Sequence, residues 1–260
     1  MAVHQHLHAT ENHQKVGVVV LAAGSGERLG IGPKALVEVG GKPLLLHVLE
    51  SMASNSSVAC LAVTAPSDLI AAYQKLVDSA GLAIPTRVTP GGATRQQSGH
   101  LGVRALPLEA DWVAITDVAR PFTPPGIIDV LLENFRIVAL DVPVGQYLCG
   151  IVPTLPLVDS VHLLGAEPLL AEPFDRSLLR AAQTPQLFDR GCVTAAYEAA
   201  AKEGTVCTDD VGMVTHFGGT VATAPGNPSN FKITYEHDLA LAEALHAYAP
   251  KGLAGSEVSI

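Results

Sequence analysis

Two cations, Arg28 and Lys34, follow a stretch that has almost no side-chain bulk, Ala22-Ala23-Gly24-Ser25-Gly26. A loop of that kind lets an anion lie against the main chain and take hydrogen bonds from its N–H groups, while the cations close on it. The chemistry this suits is the binding and activation of a nucleoside triphosphate. Further on, Gly91-Gly92-Ala93-Thr94-Arg95-Gln96-Gln97-Ser98 sets two glycines ahead of a helix start. Amides and the positive dipole end there could meet a base carbonyl or a phosphate, with Arg95 and Ser98 one turn apart and facing the same way. A third stretch is Thr116-Asp117-Val118-Ala119-Arg120-Pro121, in which Asp117 ends an apolar run. Ligands of open α/β sheets bind beyond the carboxyl ends of strands, so Asp117 stands where a Mg²⁺ on the triphosphate, an ion of oxygen ligands, would be. The plainer alternatives are a tight turn with surface charges at 22–34 and a simple pairing of Asp117 with Arg120.

Two other phosphate motifs imply different chemistry and fail. The dinucleotide fingerprint needs a third glycine where Leu29 stands, and Walker A needs Gly-Lys-Ser/Thr where the chain has Pro33-Lys34-Ala35. What remains, L-A-A-G-S-G-x-R-x-G-x-x-P-K, resembles the signature of sugar-phosphate nucleotidyltransferases.

These groups need a scaffold, and the apolar pattern supplies one. Val16–Leu21 is a continuous apolar run, the mark of a strand covered on both faces. Leu45, Val48, Leu49 and Met52 recur at helical spacing, Val58–Thr64 is a second buried strand, and Pro66 and Ser67 open a helix through Asp78 that stops at Gly81. Thr86–Thr89 and Trp112–Thr116 add strands, and Pro124 and Pro125 start a helix running to about Phe135. Alternating strands and helices predict a doubly wound parallel sheet. From Arg136 to Gln183 prolines interrupt the chain and helical periodicity is poor, which reads as strands projecting in an arm. Order then resumes with a helix from about Cys192 to Lys202, a strand at Val221–Ala224, and Thr234 as cap of a last helix carrying Leu239, Leu241, Ala242 and Leu245.

At 260 residues, 48% hydrophobic and 16% charged, the chain suits one α/β domain with an excursion. A net charge of −9 argues against a nucleic-acid partner, while leaving room for local cations to hold a small anion. Cys60, Cys149, Cys192 and Cys207 form no C-x-x-C pair or zinc spacing, and no apolar run is long enough to span a membrane. A cytoplasmic enzyme is the expectation. His4, His6, His8 and His13 lie in a polar tail. The expected organisation is an unstructured tail over residues 1–15, one nucleotidyltransferase domain over 16–250 with an arm subdomain at about 143–180, and a frayed end over 251–260.

Taken in order, L-A-A-G-S-G-x-R, P-K at 33–34, D-x-A-R-P at 117–121, T-P-Q at 184–186, T-D-D at 208–210 and N-F-K-I-T at 230–234 resemble one family over Val16 to Leu245. It is 2-C-methyl-D-erythritol 4-phosphate cytidylyltransferase, of the non-mevalonate isoprenoid pathway. The resemblance implies an α/β, Rossmann-like fold with a mostly parallel twisted sheet flanked by helices and a projecting β-arm. It implies that CTP and a polyol phosphate are the substrates and Mg²⁺ the cofactor, and that the chain is a homodimer through the arm. By the same resemblance Arg28 and Lys34 stabilise charge on the triphosphate, which Ala22, Ala23, Gly24, Ser25 and Gly26 cradle. Gly91 and Ser98 contact cytosine, and Asp117 serves the nucleotide's magnesium. Arg120, Ser160, Arg176, Thr208 and Lys232 hold the phosphate of methylerythritol phosphate, with Arg176 completing the partner's site.

The sequence departs from the family pattern in several places. The loop between Arg28 and Pro33 is about a residue short, Thr116 stands where His is frequent and Val118 where Ala is, and Ser160 and His162 replace Thr and Lys. The segment Arg136–Gly150 is long. Two other functions fit these residues: the same transfer to ribitol 5-phosphate, and a catalytically impaired nucleotide-binding paralogue.

Overall fold

The computed structural model describes residues 15–24, 26, 30, 32–143, 145–166 and 169–248. The tail and the frayed end expected at the termini lie outside these residues, apart from Lys15.

In chain order the elements are β1 (Val16–Leu21), β2 (Glu38–Val39), β3 (Lys42–Pro43), α1 (Leu44–Ala53), β4 (Val58–Ala65), α2 (Ile70–Ser79), β5 (Thr86–Pro90), α3 (Arg95–Ala105), β6 (Trp112–Asp117) and α4 (Ile127–Ala139). There follow β7 (Leu148–Pro156), β8 (His162–Leu164), β9 (Leu170–Pro173), β10 (Arg180–Ala182), β11 (Gln186–Asp189), α5 (Arg190–Glu203), α6 (Asp210–His216), β12 (Thr220–Pro225) and α7 (Glu236–Tyr248). The eight-stranded sheet runs β10-β7-β11-β6-β1-β4-β5, with β12 also on β7. Strand β1 is parallel to both β4 and β6, β4 to β5, and β7 to β12. Only β10 and β11 run against their neighbours among these pairs.

Why the unbroken apolar run at the start works is visible in its two faces. Val16, Val18 and Val20 join a cluster with Leu45 and Leu49 of α1, Tyr73 of α2 and Ile128 and Leu131 of α4. On the other face Val19 and Leu21 meet Val103 of α3, Val193 and Tyr197 of α5 and Met213 of α6. Each side chain of this size contributes about 1.5–3 kcal/mol when fully buried, which is why the strand carries no polar residue. Glycine at position 17 serves the same packing, because a Cβ there would sit 2.9 Å from Leu106 Cδ1.

Three sequence expectations change. Helix α2 starts at Ile70, because residues 66–69 are used in a turn closed by Leu69 N–H to the Pro66 carbonyl. The hydroxyl of Thr234 donates to the Lys232 carbonyl, and the cap ahead of α7 is supplied by Asp238, whose carboxylate accepts the N–H groups of Thr234 and Tyr235. The arm expected over 143–180 is narrower. Its first part, β7, lies within the central sheet with Leu148–Pro153 buried, and only β8 and β9 pair apart from it. Prolines at 153 and 156 disguised this strand, since proline lacks the ladder N–H; yet the Pro153 carbonyl still accepts Gln183 N–H at 2.8 Å.

Candidate active site

Register places the chemistry. In the β1–β6 pair Leu21 lies opposite Asp117, so the carboxylate stands beside the mouth of the glycine loop. The loop leaves β1 with Ala22, whose N–H donates to the Thr64 carbonyl at 3.1 Å. Gly26 has a φ of +73° and a Cβ on it would come within 2.3 Å of the Gly32 oxygen, so only glycine lets the loop fold back on the segment before Lys34. Lys34 then begins a single 3-10 turn behind Pro33, and its Nζ donates to the Ile233 carbonyl at 2.9 Å. Ser25 and Arg28 lie outside the described residues.

The facing wall is the entry to α3. Gly91 N–H donates to the Ala65 carbonyl at 2.8 Å, and a Cβ on Gly91 would lie 2.3 Å from Ala23 Cβ, so the two loops touch only because position 91 is bare. Ser98 is buried, accepting Gly92 N–H at 3.1 Å and donating to the Thr94 carbonyl at 2.9 Å. It shapes the wall from within, while Thr94 caps the helix by accepting Gln97 N–H.

Asp117 forms the floor. Its Oδ2 meets Lys232 Nζ at 2.6 Å and its Oδ1 meets Arg95 Nε at 3.4 Å. Burial works to raise this carboxyl, but Arg95, Lys232 and Arg120 outweigh it and hold it below the usual carboxylate range. Its backbone N–H donates to Thr184 Oγ1 at 3.1 Å, and Thr184's carbonyl accepts Asn230 Nδ2 at 2.8 Å. Gln186 ties the next motif in, donating to Asp209 Oδ2 and accepting Val211 N–H. Thus T-P-Q, T-D-D and N-F-K-I-T are fastened to one another around the carboxylate.

The cleft so bounded measures about 530 Å³, and among the described residues Lys34, Arg95 and Lys232 line it against one carboxylate, Asp117. In a chain of net charge −9, three cations to one acid among the described lining residues make a local anion site. Ala23, Gly24, Gly26 and Ser98 also line it, with Gly91 packed against Ala23 and Ser98, while Ala22 is buried at the end of β1.

Four of the expected substrate residues are elsewhere. Arg120 is buried beneath the floor, its Nη1 on the Asn230 carbonyl and its Nε without a hydrogen-bond partner. Thr208 is exposed at the start of the T-D-D turn. Ser160 is exposed in the arm, where Arg176 lines a separate hollow with Pro156, Val158 and Arg180 and donates to the Val158 carbonyl at 2.6 Å. The pairing of Asp117 with Arg120 does not form; Arg95 and Lys232 take that place. Arg95 enters the sequence reading only as a neighbour of Ser98 at the helix start and Asp210 only as part of T-D-D, neither with a stated role, and Tyr197 does not enter it. The available signal was Arg95 itself, a cation at a helix N-terminus, where the dipole disfavours it unless an acid stands nearby.

Among the described residues no cluster of three or more His, Cys, Asp and Glu could hold a metal. Asp117 does suit an ion that takes one carboxylate and completes its shell with water and phosphate oxygens, as Mg²⁺ does on a nucleotide. The long contact at Oδ1 leaves that oxygen the more open of the two.

The family model for 2-C-methyl-D-erythritol 4-phosphate cytidylyltransferase matches residues 16–247. An enzyme of that name from Streptomyces avermitilis is 39% identical over 245 residues, covering 90% of this chain and 92% of the relative. Among solved structures, the cytidylyltransferase from Thermus thermophilus superposes with a TM-score of 0.67 at 30% identity, over 88% of this chain and 98% of that one. The 4-diphosphocytidyl-2C-methyl-D-erythritol synthase from Anaerococcus prevotii has the same fold, with a TM-score of 0.76 at 22% identity over 91% and 100% of the two chains. With its site motifs in order and nearly its whole length matched, the chain belongs to the 2-C-methyl-D-erythritol 4-phosphate cytidylyltransferase family.

Proposed function

We propose that this chain transfers the cytidylyl group of CTP to the phosphate of 2-C-methyl-D-erythritol 4-phosphate. The products are 4-diphosphocytidyl-2-C-methyl-D-erythritol and pyrophosphate, and the step belongs to isoprenoid biosynthesis by the non-mevalonate route. The observation that carries the reading is the concentration of Lys34, Arg95 and Lys232 around Asp117 in one cleft of an otherwise acidic protein. Two polyanions must meet there. The attacking phosphate oxygen is already charged, so no base is needed; what costs free energy is the approach.

In this reading the amides of residues 22–26 hold the triphosphate, and the wall at Gly91–Ser98 takes the base. Lys34, joined by Arg28, meets the charge that builds at the α-phosphorus. Lys232 guides the polyol phosphate in line behind it. A new P–O bond forms to the α-phosphorus as the bond to the β-phosphate oxygen breaks and pyrophosphate leaves. A Mg²⁺ on Asp117 would neutralise the phosphate oxygens of the nucleotide. Arg120 supports the floor from below, and Thr208 would reach the substrate phosphate from the exposed T-D-D turn. Ser160 and Arg176 act from the arm across a homodimer, on the second subunit's substrate. The four unpaired cysteines suit a reducing compartment, the cytoplasm.

Pyrophosphate release, measured across the four nucleoside triphosphates and two polyol phosphates, tests this. CTP with methylerythritol phosphate should give the highest kcat/KM. Preference for ribitol 5-phosphate would replace the substrate, and CTP binding without turnover would contradict the reaction.

A further inference from the structure

Arg95 opens α3, and something must hold a cation against the dipole there. Its Nη1 lies 2.8 Å from Asp210 Oδ2, while its Nε reaches Asp117 Oδ1 only at 3.4 Å. Asp210 is 1% exposed and sits in the first turn of α6, behind the Asp209 cap, where negative charge is favoured. Its other oxygen accepts the Tyr197 hydroxyl at 2.5 Å. Tyr197 is in turn fixed, stacked on His100 with ring centroids 5.3 Å apart and seated over Gly99, where a Cβ would come within 2.0 Å of the hydroxyl. Asp210 therefore cannot move toward the cleft. Arg95 must come to it.

An arginine beside one buried carboxylate usually takes it with two parallel hydrogen bonds. Here one guanidinium is divided between two carboxylates, short on the deeply buried Asp210 and long on Asp117 at the floor. We infer that Asp210 is a positioning residue, which draws Arg95 off Asp117 and so keeps Asp117 Oδ1 open to the divalent cation of the nucleotide. The inference rests on the proposed role of Asp117. Without the charge at 210, nothing holds the guanidinium plane back from Asp117, where it competes with the cation for the same oxygen.

Water-proton relaxation with Mn²⁺·CTP as the probe reads metal held by the full chain without any turnover. Asp117→Asn should abolish the enhancement; if it does not, the role of Asp117 fails before the inference is reached. Given that loss, Asp210→Asn should weaken Mn²⁺·CTP binding about tenfold, some 1.4 kcal/mol. In an Arg95→Gln background the same Asp210→Asn change should cost nothing measurable, because the competing guanidinium is gone. Equal cost in both backgrounds, or none in either, overturns the inference. Should Asp210→Asn fail to fold, Tyr197→Phe carries the test. It loosens Asp210 and should weaken binding about threefold, again only while Arg95 is present; unchanged binding overturns the inference there too.

Discussion

Lys232 and Asp117, 115 positions apart in the chain, meet at 2.6 Å across the floor of the cleft. Lys232 follows a loop anchored by the wholly buried Asn230, which accepts the Thr123 hydroxyl and donates to the Thr184 carbonyl. Asp117 ends the central strand that pairs with β1. The contact thus fastens the loop between β12 and α7 to the middle of the sheet, and it holds an ammonium where an incoming phosphate would need one.

Replacing Lys232 by Ala should raise KM for the polyol phosphate by about 10- to 100-fold, the worth of a charge-assisted hydrogen bond. CTP affinity should change far less. Steady-state kinetics with each substrate varied in turn checks this, and equal losses for both substrates would move Lys232 off the acceptor side.

Asp117 and Asp210 should tilt the pH dependence of stability in opposite directions. Asp117 has a folded pKa below the ordinary 3.8, so its contribution is present above that value and lost as pH falls through the folded one. Burial raises Asp210, and the charge of Asp117 adds to this, so its folded pKa lies above 3.8. It favours the folded state more as pH drops through that raised value. Urea unfolding from about pH 6 down to about pH 2.5, past 3.8 and toward the lower folded value, therefore should show the gap between wild type and Asp117→Asn shrinking. The gap between wild type and Asp210→Asn should move the other way, and parallel trends would refute the assignment.

Gly91→Ala should both weaken CTP binding and lower stability. The added methyl would stand 2.3 Å from Ala23 Cβ and 3.0 Å from Ser98 Oγ, so the two walls must part. Overpacking of this kind costs about 1–3 kcal/mol, readable by urea unfolding. Gly24→Ala serves as the control for stability alone, since among the described residues nothing lies within 4 Å of a Cβ there.

How much of this was legible differs by element. The first strand, α1 and the α3 entry could be read directly, because burial on both faces, helical spacing and paired glycines each leave a local mark. Lys34, Asp117 and Lys232 also converge as the motifs imply. Strand β7 escaped because its two prolines suppress the pattern that a sheet interior ordinarily shows, while its partners β10, β11 and β12 lie far along the chain. The Arg95–Asp210 pair escaped for a related reason. Its members are 115 positions apart, and no periodicity connects a residue at the start of one helix with a residue at the start of another.

The proposed subunit exchange through the arm gives a prediction of its own. The arm exposes Leu163, Leu164, Leu170 and Leu178, an apolar surface that a second copy would cover. If Arg176 serves the partner's site, Lys34→Ala and Arg176→Ala chains, each nearly inactive alone, should regain about a quarter of wild-type activity when unfolded together and refolded in equal amounts. Sedimentation should show a dimer. Absence of any regain would assign Arg176 to its own subunit or to no site.

The most direct test of the account is the structure of the chain crystallised with CTP and Mg²⁺. Lys34 Nζ, now on the Ile233 carbonyl, should lie within about 3 Å of an α-phosphate oxygen, with the metal on Asp117. A triphosphate seated away from both residues would contradict it.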